Sequence, residues 1–383
     1  MLIGGKEPIT LTRLQSENGA LPEFTSAVIL PGRGMNIFQI TAYIPGRGLT
    51  ALLASPTIEE AAAQLSGTGP DKNGDLSFRM GGAFLLPYPN RVRGKFNPET
   101  QTITTEWKGH PLTLPANENP NTPGLEPVAM HGLLLDKAMT TVETNTMPDG
   151  GVATATYHAG DFDGHWLSQT DVAITIVLSG RALDCIITAR NVGSQPEPMA
   201  IGWHPYFSIP SRQREQATLR IPSQTRTEVN NYKEVFPTGR LLSVAGTPYD
   251  FSQRGGRALD KIYLDDDYVD LKPGLLDSGP VVELRDPAAN YGLRVMALSP
   301  DIKSIQVFSP PTKDFVAIEP QFNWADPFGK EWKGQDTGMV TLQPGKAVTW
   351  KVRLELFSPG MQIVPKGDTH PLSMPGQVTD PTR

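Results

Sequence analysis

The chain has 383 residues and a formal net charge of −6, with lysines and arginines scattered along it. That length can bury a sizeable core, and the mild acidity argues against nucleic acid or an anionic membrane surface as the main partner. Glycine (37) and proline (36) are spread along the whole chain, which fits short strands joined by turns, and the single cysteine, Cys185, excludes an internal disulfide and a cysteine-based metal site.

Residues 1–19 lack a basic start followed by an apolar run, so they do not read as a signal peptide. No apolar stretch approaches the length of a membrane span. A cytoplasmic location is the default expectation, a removed leader aside. Ser26–Pro31 and Met35–Ile44 read as strands around a Pro-Gly-Arg-Gly turn. Thr57–Leu65 is the best short helix, with Thr57 or Ser55 as its cap. Arg79–Phe96 is an apolar run punctuated by glycine and proline, and it contains Asn90-Arg91-Val92-Arg93. Its two arginines share one face at period two. They read either as a solvated edge strand or as a fork of N–H donors aimed at substrate oxygens.

Gln101–Trp107 is a further strand, and Pro111–Pro127 reads as a long loop leading to Met130-His131-Gly132. Glycine after His131 allows close backbone approach or positive φ, which would turn the imidazole toward a pocket. A surface turn is the plainer alternative. Asp171–Leu178 and Ala182–Arg190 form the clearest hairpin, with Ser179-Gly180 as its turn. Cys185 falls on the buried face of this hairpin and reads as a core residue.

Ile201–Pro210 reads IGWHPYFSIP. Pro205 holds His204 in extended backbone, and the aromatic neighbours could wall its ring and offer a sugar an apolar face. Near-neutral titration suits His204 to proton transfer. Alone, it reads as a buried histidine bonded to a carbonyl. Ala217–Ile221 is a short strand, and Arg257–Tyr263 carries Asp260. The acidic run Asp265–Asp267 with Asp270 lacks the glycine and distal glutamate of a calcium loop, so it reads as a solvated loop. Val281–Leu284, Leu293–Ala297, Ser304–Phe308, Phe315–Ile318 and Val348–Phe357 alternate as strands, and Glu319-Pro320-Gln321 ends the fourth of these.

No βαβ rhythm and no repeat is present. The expectation is an all-β chain: large antiparallel sheets packed face to face, with one or two short helices, in a single domain over residues 1–383 whose residues 359–383 form a loose tail. His158 and His165 flank Asp161 and Asp163 at a spacing that fits no standard zinc pattern, and His110 and His370 read as solvated. No metal and no cofactor are expected. There is no Gly-x-Ser-x-Gly elbow, phosphate loop or dinucleotide fingerprint. What remains is a carboxylate, Glu319, that could oppose an imidazole across a pocket and move one proton in while another moves out.

The ordered set Asn90-Arg91, His131-Gly132, His204-Pro205-Tyr206-Phe207, Asp260 followed by Tyr263, and Glu319-Pro320-Gln321 resembles the aldose 1-epimerase (galactose mutarotase) family over roughly residues 26–357. The resemblance implies a large β-sandwich with a sugar cleft on one sheet, and a small-molecule sugar as partner. It implies Glu319 as general base on the anomeric hydroxyl, His204 as general acid on the ring oxygen, and His131 as stabiliser of developing charge. Arg91, Asn90, Asp260 and Tyr206 would bind the sugar. A carboxylate near His204 would favour its protonated form, and space for one pyranose is expected between His204 and Glu319. The lead-in Pro198–Trp203 departs from the family's asparagine- and threonine-rich pattern, and the chain is longer than a typical member. Two alternatives accompany this reading. One is a carbohydrate-binding sandwich without catalysis, using Trp203, Tyr206 and Trp324 as platforms. The other is a hexose-6-phosphate epimerase using Arg93.

Overall fold

The computed structural model describes residues 1–16, 19–66, 71 and 73–360; residues 361–383, which hold His370 and most of the expected tail, lie outside the described residues. Period-two alternation decides which face of each long strand is buried. In Ala347–Phe357, Val348, Trp350, Val352, Leu354 and Leu356 point inward between exposed or half-buried neighbours. In the hairpin Thr170–Ser179/Ala182–Asn191, Ser179 pairs with Ala182, and Cys185 is fully buried.

Two large antiparallel sheets result. The nine-stranded one has Ala182–Asn191, Ala347–Phe357 and Tyr291–Ala297 at its centre. The eleven-stranded one carries, in consecutive order, Asn36–Ile44, Gly82–Leu85, Gly202–Ser208, Phe315–Gln321, Ser304–Ser309 and Leu264–Val269. Their inner faces share one hydrophobic cluster that includes Phe84, Trp203 and Phe207 from one sheet and Ile187, Trp350 and Val352 from the other. Each such large apolar side chain contributes ~1.5–3 kcal/mol by leaving water. Trp350 also reaches across the sandwich, its Nε1 donating to the Pro320 carbonyl at 3.1 Å. That bond anchors the strand carrying Glu319 from behind.

The single α-helix among the described residues is Ile58–Gln64. Thr57 caps it reciprocally: the Glu60 amide donates to Thr57 Oγ1 at 3.2 Å and the Thr57 amide to Glu60 Oε2 at 2.9 Å.

Two expectations are corrected. His110–Pro115, inside the expected loop but for its first residue, is a strand paired with Thr102–Trp107. The acidic run lies in the strand Leu264–Val269, with Asp266 and Asp267 buried. Charge made that run look solvated, but its position well inside the sheet, between Ser304–Ser309 and Thr225–Val229, removes it from water. Asp266 is held there by an ion pair with Arg226 and by the Tyr232 hydroxyl, which donates at 3.0 Å. Thr141–Met147 and Gly150–Gly160 are further strands without a strong sequence signal, since threonine, glycine and alanine blunt their apolar alternation.

Candidate functional site

The site lies on the outer face of the eleven-stranded sheet. In Gly202–Ser208 the inward positions are Trp203 and Phe207, which leaves His204 and Tyr206 on the opposite face. Trp203 locks the strand further by donating to the Gly82 carbonyl at 2.9 Å. Gly202 pairs with Gln321 and Tyr206 with Ala317, so His204 stands directly opposite Glu319. The next strands continue the row: Glu319 pairs with Gln306, and Gln306 with Asp267. Directly paired side chains on one face lie about 5 Å apart at their β-carbons. Hence His204 Nε2 meets Glu319 Oε1 at 3.2 Å. The expected sugar-wide gap between these two is absent, because neighbouring strands cannot open one. A sugar must lie over the pair.

His131 arrives from the loop after Ala129–Met130, with a φ of 62° followed by Gly132 at 86°. A Cβ on Gly132 would lie 2.3 Å from the Leu86 carbonyl oxygen, so glycine is needed for the loop to press against that backbone. His131 and Asn90 bond reciprocally: the His131 amide donates to the Asn90 carbonyl at 2.8 Å, and the Asn90 amide to His131 Nδ1 at 3.2 Å. The His131 ring then sits edge-on to His204, with centroids 4.9 Å apart. Phe78 at 4.8 Å from His131 and Tyr206 at 4.7 Å from His204 wall the two imidazoles. The Asn90 side chain donates to Gln306 Oε1 at 3.2 Å, and Gln306 donates to Asp265 Oδ1 at 2.7 Å. Arg91 is steadied by donating to the Val235 carbonyl at 2.7 Å.

These residues line a cavity of about 210 Å³. His131, His204, Glu319, Asn90, Arg91 and Tyr206 all face it. Asp260 does not: its side chain is exposed, and its backbone carbonyl accepts from Arg214 at 3.0 Å. Asp265 lines the cavity in its stead. The same Asp-x-x-Tyr spacing occurs twice in succession, Asp260/Tyr263 and Asp265/Tyr268; the cavity takes the tyrosine of the first copy and the aspartate of the second, while Tyr268 is buried in the core. Gln306, Phe78 and Arg79 also line the site without any sequence signal that singled them out. Arg93 is engaged elsewhere. It is bidentate to Glu126 at 3.0 and 2.9 Å, stacked over Phe236, and outside the cavity.

Burial dominates the electrostatics. It pushes the His204 imidazole down to about 3, with Arg79 adding to the effect. His131 is driven well below its usual range by burial first, then by His204 and the arginines. Glu319 is driven well up by burial, reinforced by Asp265 and Asp267 and opposed by Arg91. Asp265 rises to about 6, again through burial. The expected upward pull of a carboxylate on His204 is therefore outweighed: desolvation favours the neutral imidazole beside a protonated carboxyl.

Ligand atoms of His131, His204 and Glu319 all lie within 4.8 Å of one another, close enough for a metal ion. The local bonding disfavours one. An amide N–H only donates, so His131 Nδ1 accepts from Asn90 and the neutral ring carries its proton on Nε2. A metal-binding imidazole instead donates its second N–H to an acceptor.

The sequence profile of the family described as aldose 1-epimerase matches residues 71–355. Among curated proteins no sequence matches. Solved structures do. A galactose mutarotase-like protein from Clostridium acetobutylicum is 15% identical with a TM-score of 0.70, covering 91% of this chain and 98% of its own. An aldose epimerase homologue from C. elegans is 16% identical with a TM-score of 0.66, covering 91% and 98%. A galactose 1-epimerase from Lactobacillus acidophilus is 15% identical with a TM-score of 0.61, covering 92% and 99%. At these identities the structures speak for the fold alone, which is that of the galactose mutarotase-like sandwich.

Proposed function

The chain belongs to the aldose 1-epimerase family, and on that premise we propose that it interconverts the α and β anomers of a free hexose by opening and reclosing the sugar ring. The observation that carries the reading is the direct His204–Glu319 pair on the floor of a small polar cavity, with His131 beside it.

The pair holds one proton. Neutral His204 with protonated Glu319 and protonated His204 with ionised Glu319 differ only by a transfer across 3.2 Å. The second form is the reactive one. Glu319 takes the proton from the anomeric hydroxyl while His204 gives its proton to the ring oxygen. The electrons of the O–H bond form the C1 carbonyl, and those of the C1–ring-oxygen bond stay with that oxygen. The C1–C2 bond rotates. Reclosure runs the steps backward onto the other face, with the roles reversed. The Nε2–H of His131 would stabilise charge developing at the ring oxygen. Arg91, Asp265 and Tyr206 would hold sugar hydroxyls. Asn90 acts mainly as a strut, since its amide groups hold His131 and Gln306.

A purely binding sandwich has no use for a proton-sharing pair. A phosphorylated hexose gains no support from Arg93, whose guanidinium is committed to Glu126. Polarimetry of a freshly dissolved α-anomer, glucose or galactose, tests the reading. The wild-type protein should speed equilibration, and Glu319→Gln should slow it by about 10²–10⁴-fold, the usual share of general acid–base catalysis. Equal rates would remove Glu319 as the base.

A further inference from the structure

One buried carboxyl beside the reacting pair has no part in the steps above. Asp267 is 2% exposed, and the Ser304 hydroxyl and Ala325 amide beside its carboxyl make no well-formed hydrogen bond to it. It lies in the same cross-strand row as Glu319, with only Gln306 between them. Glu319 Oε2 is likewise buried without a partner, as are both amide atoms of Gln321, two positions along the same face. Unpaired buried polar atoms are rare in native proteins and call for a reason.

We propose that Asp267 is a positioning residue that acts through Glu319, its carboxyl tuning the charge of the reacting carboxylate from across Gln306. The role rests on the function proposed above. Asp267 does not line the cavity, so it cannot touch the sugar. The groups around it are Asp265 on the same face of its own strand, Asp266 on the opposite face, Ser304 and Gln306 on the next strand, Arg91, Glu319, and the Ala325 amide from the loop over the sheet. Arg91 is the only cation among them. Burial raises Asp267 to about 7, although Ser304, Ala325 and Arg91 pull the other way. Its charge also helps to raise Glu319. When Glu319 is ionised, a negative charge two strands away makes it a stronger base, and near neutrality Asp267 switches that charge on as pH rises.

The test is Asp267→Asn, nearly isosteric and never charged. The acidic limb of the kcat/KM profile for anomer exchange should move to lower pH by about half a unit or more. At pH 8 kcat should fall a few-fold while KM stays unchanged. A merely structural Asp267 would lower Tm and leave the limb in place, and that result would overturn the proposal. Should Asp267→Asn not fold, Asp267→Ser is read in the same way. ¹³C NMR titration of the Glu319 carboxyl in wild type and variant reads the coupling without substrate. An inactive wild type whose Glu319 titration still moves with Asp267→Asn would sink the proposed function but keep the coupling. An unmoved titration would sink the coupling whatever the activity.

Discussion

Glu197 and Glu283 are both buried carboxyls, and their surroundings drive them in opposite directions. Glu283 receives Arg285 at 2.5 Å and Arg294 at 2.9 Å, and these bonds hold it below its usual range despite burial. Glu197 has no cation beside it among the described residues. The Thr170 hydroxyl donates to one oxygen at 2.9 Å, the other is unpartnered, and burial raises the group to about 7. A group whose folded value lies above its unfolded value adds stability that is complete below the unfolded value, near 4.3, and is lost as pH climbs through the folded one. Glu197→Gln keeps an acceptor for Thr170 and cannot ionise. Urea melts at pH 5 and pH 8 should show the wild type losing on the order of 2 kcal/mol more than the variant over that interval. Equal losses would show that Glu197 ionises freely where it stands. Glu319 obeys the same rule, its carboxyl raised by burial, which is why the proposed base cannot be treated as a surface glutamate.

At the scale of elements, the loop His131–Gly132 depends on its contact with the Leu86 backbone, where the Leu133 amide donates to the Leu86 carbonyl at 2.7 Å. Gly132→Ala adds a β-carbon at positive φ and within 2.3 Å of that oxygen, so the backbone must move. A cost of about 1–3 kcal/mol is expected, together with loss of anomer exchange as His131 shifts off His204. Retained Tm and retained activity would show that the loop tolerates displacement. The turn itself was readable in advance, because a glycine after a histidine is a local signal, whereas its buried imidazole was not, a surface turn being the plainer reading. The hairpin around Cys185, the capped helix and the strand bearing Val348–Leu356 were readable for the same reason: their patterns repeat within a few residues. The row His204–Glu319–Gln306–Asp267 was not, since register between distant strands leaves no local trace. Nor was the choice between Asp260 and Asp265, two copies of one spacing, of which only pairing within the sheet selects the second. The acidic run misled because charge ordinarily signals solvent, and here strand pairing on both sides overrode it.

For the whole molecule, the question is whether the two sheets can part. The core cluster draws on both inner faces without a break. Phe84 and Trp350, from opposite sheets, meet at 6.2 Å, and Trp350 bonds the backbone of the strand that carries Glu319. Removing the nine-stranded sheet would expose Trp203 and Phe207 directly behind His204 and Tyr206, so the site cannot outlast the sandwich. Many proteins of this length unfold in steps because they contain separable cores. Here a single cooperative transition is expected. Calorimetric and van't Hoff enthalpies should agree, and near-ultraviolet circular dichroism, far-ultraviolet circular dichroism and anomer exchange should lose their signals at one midpoint. Two resolved transitions, with exchange activity surviving the first, would show that part of the chain folds apart from the sheet pair. The chain would then hold two domains.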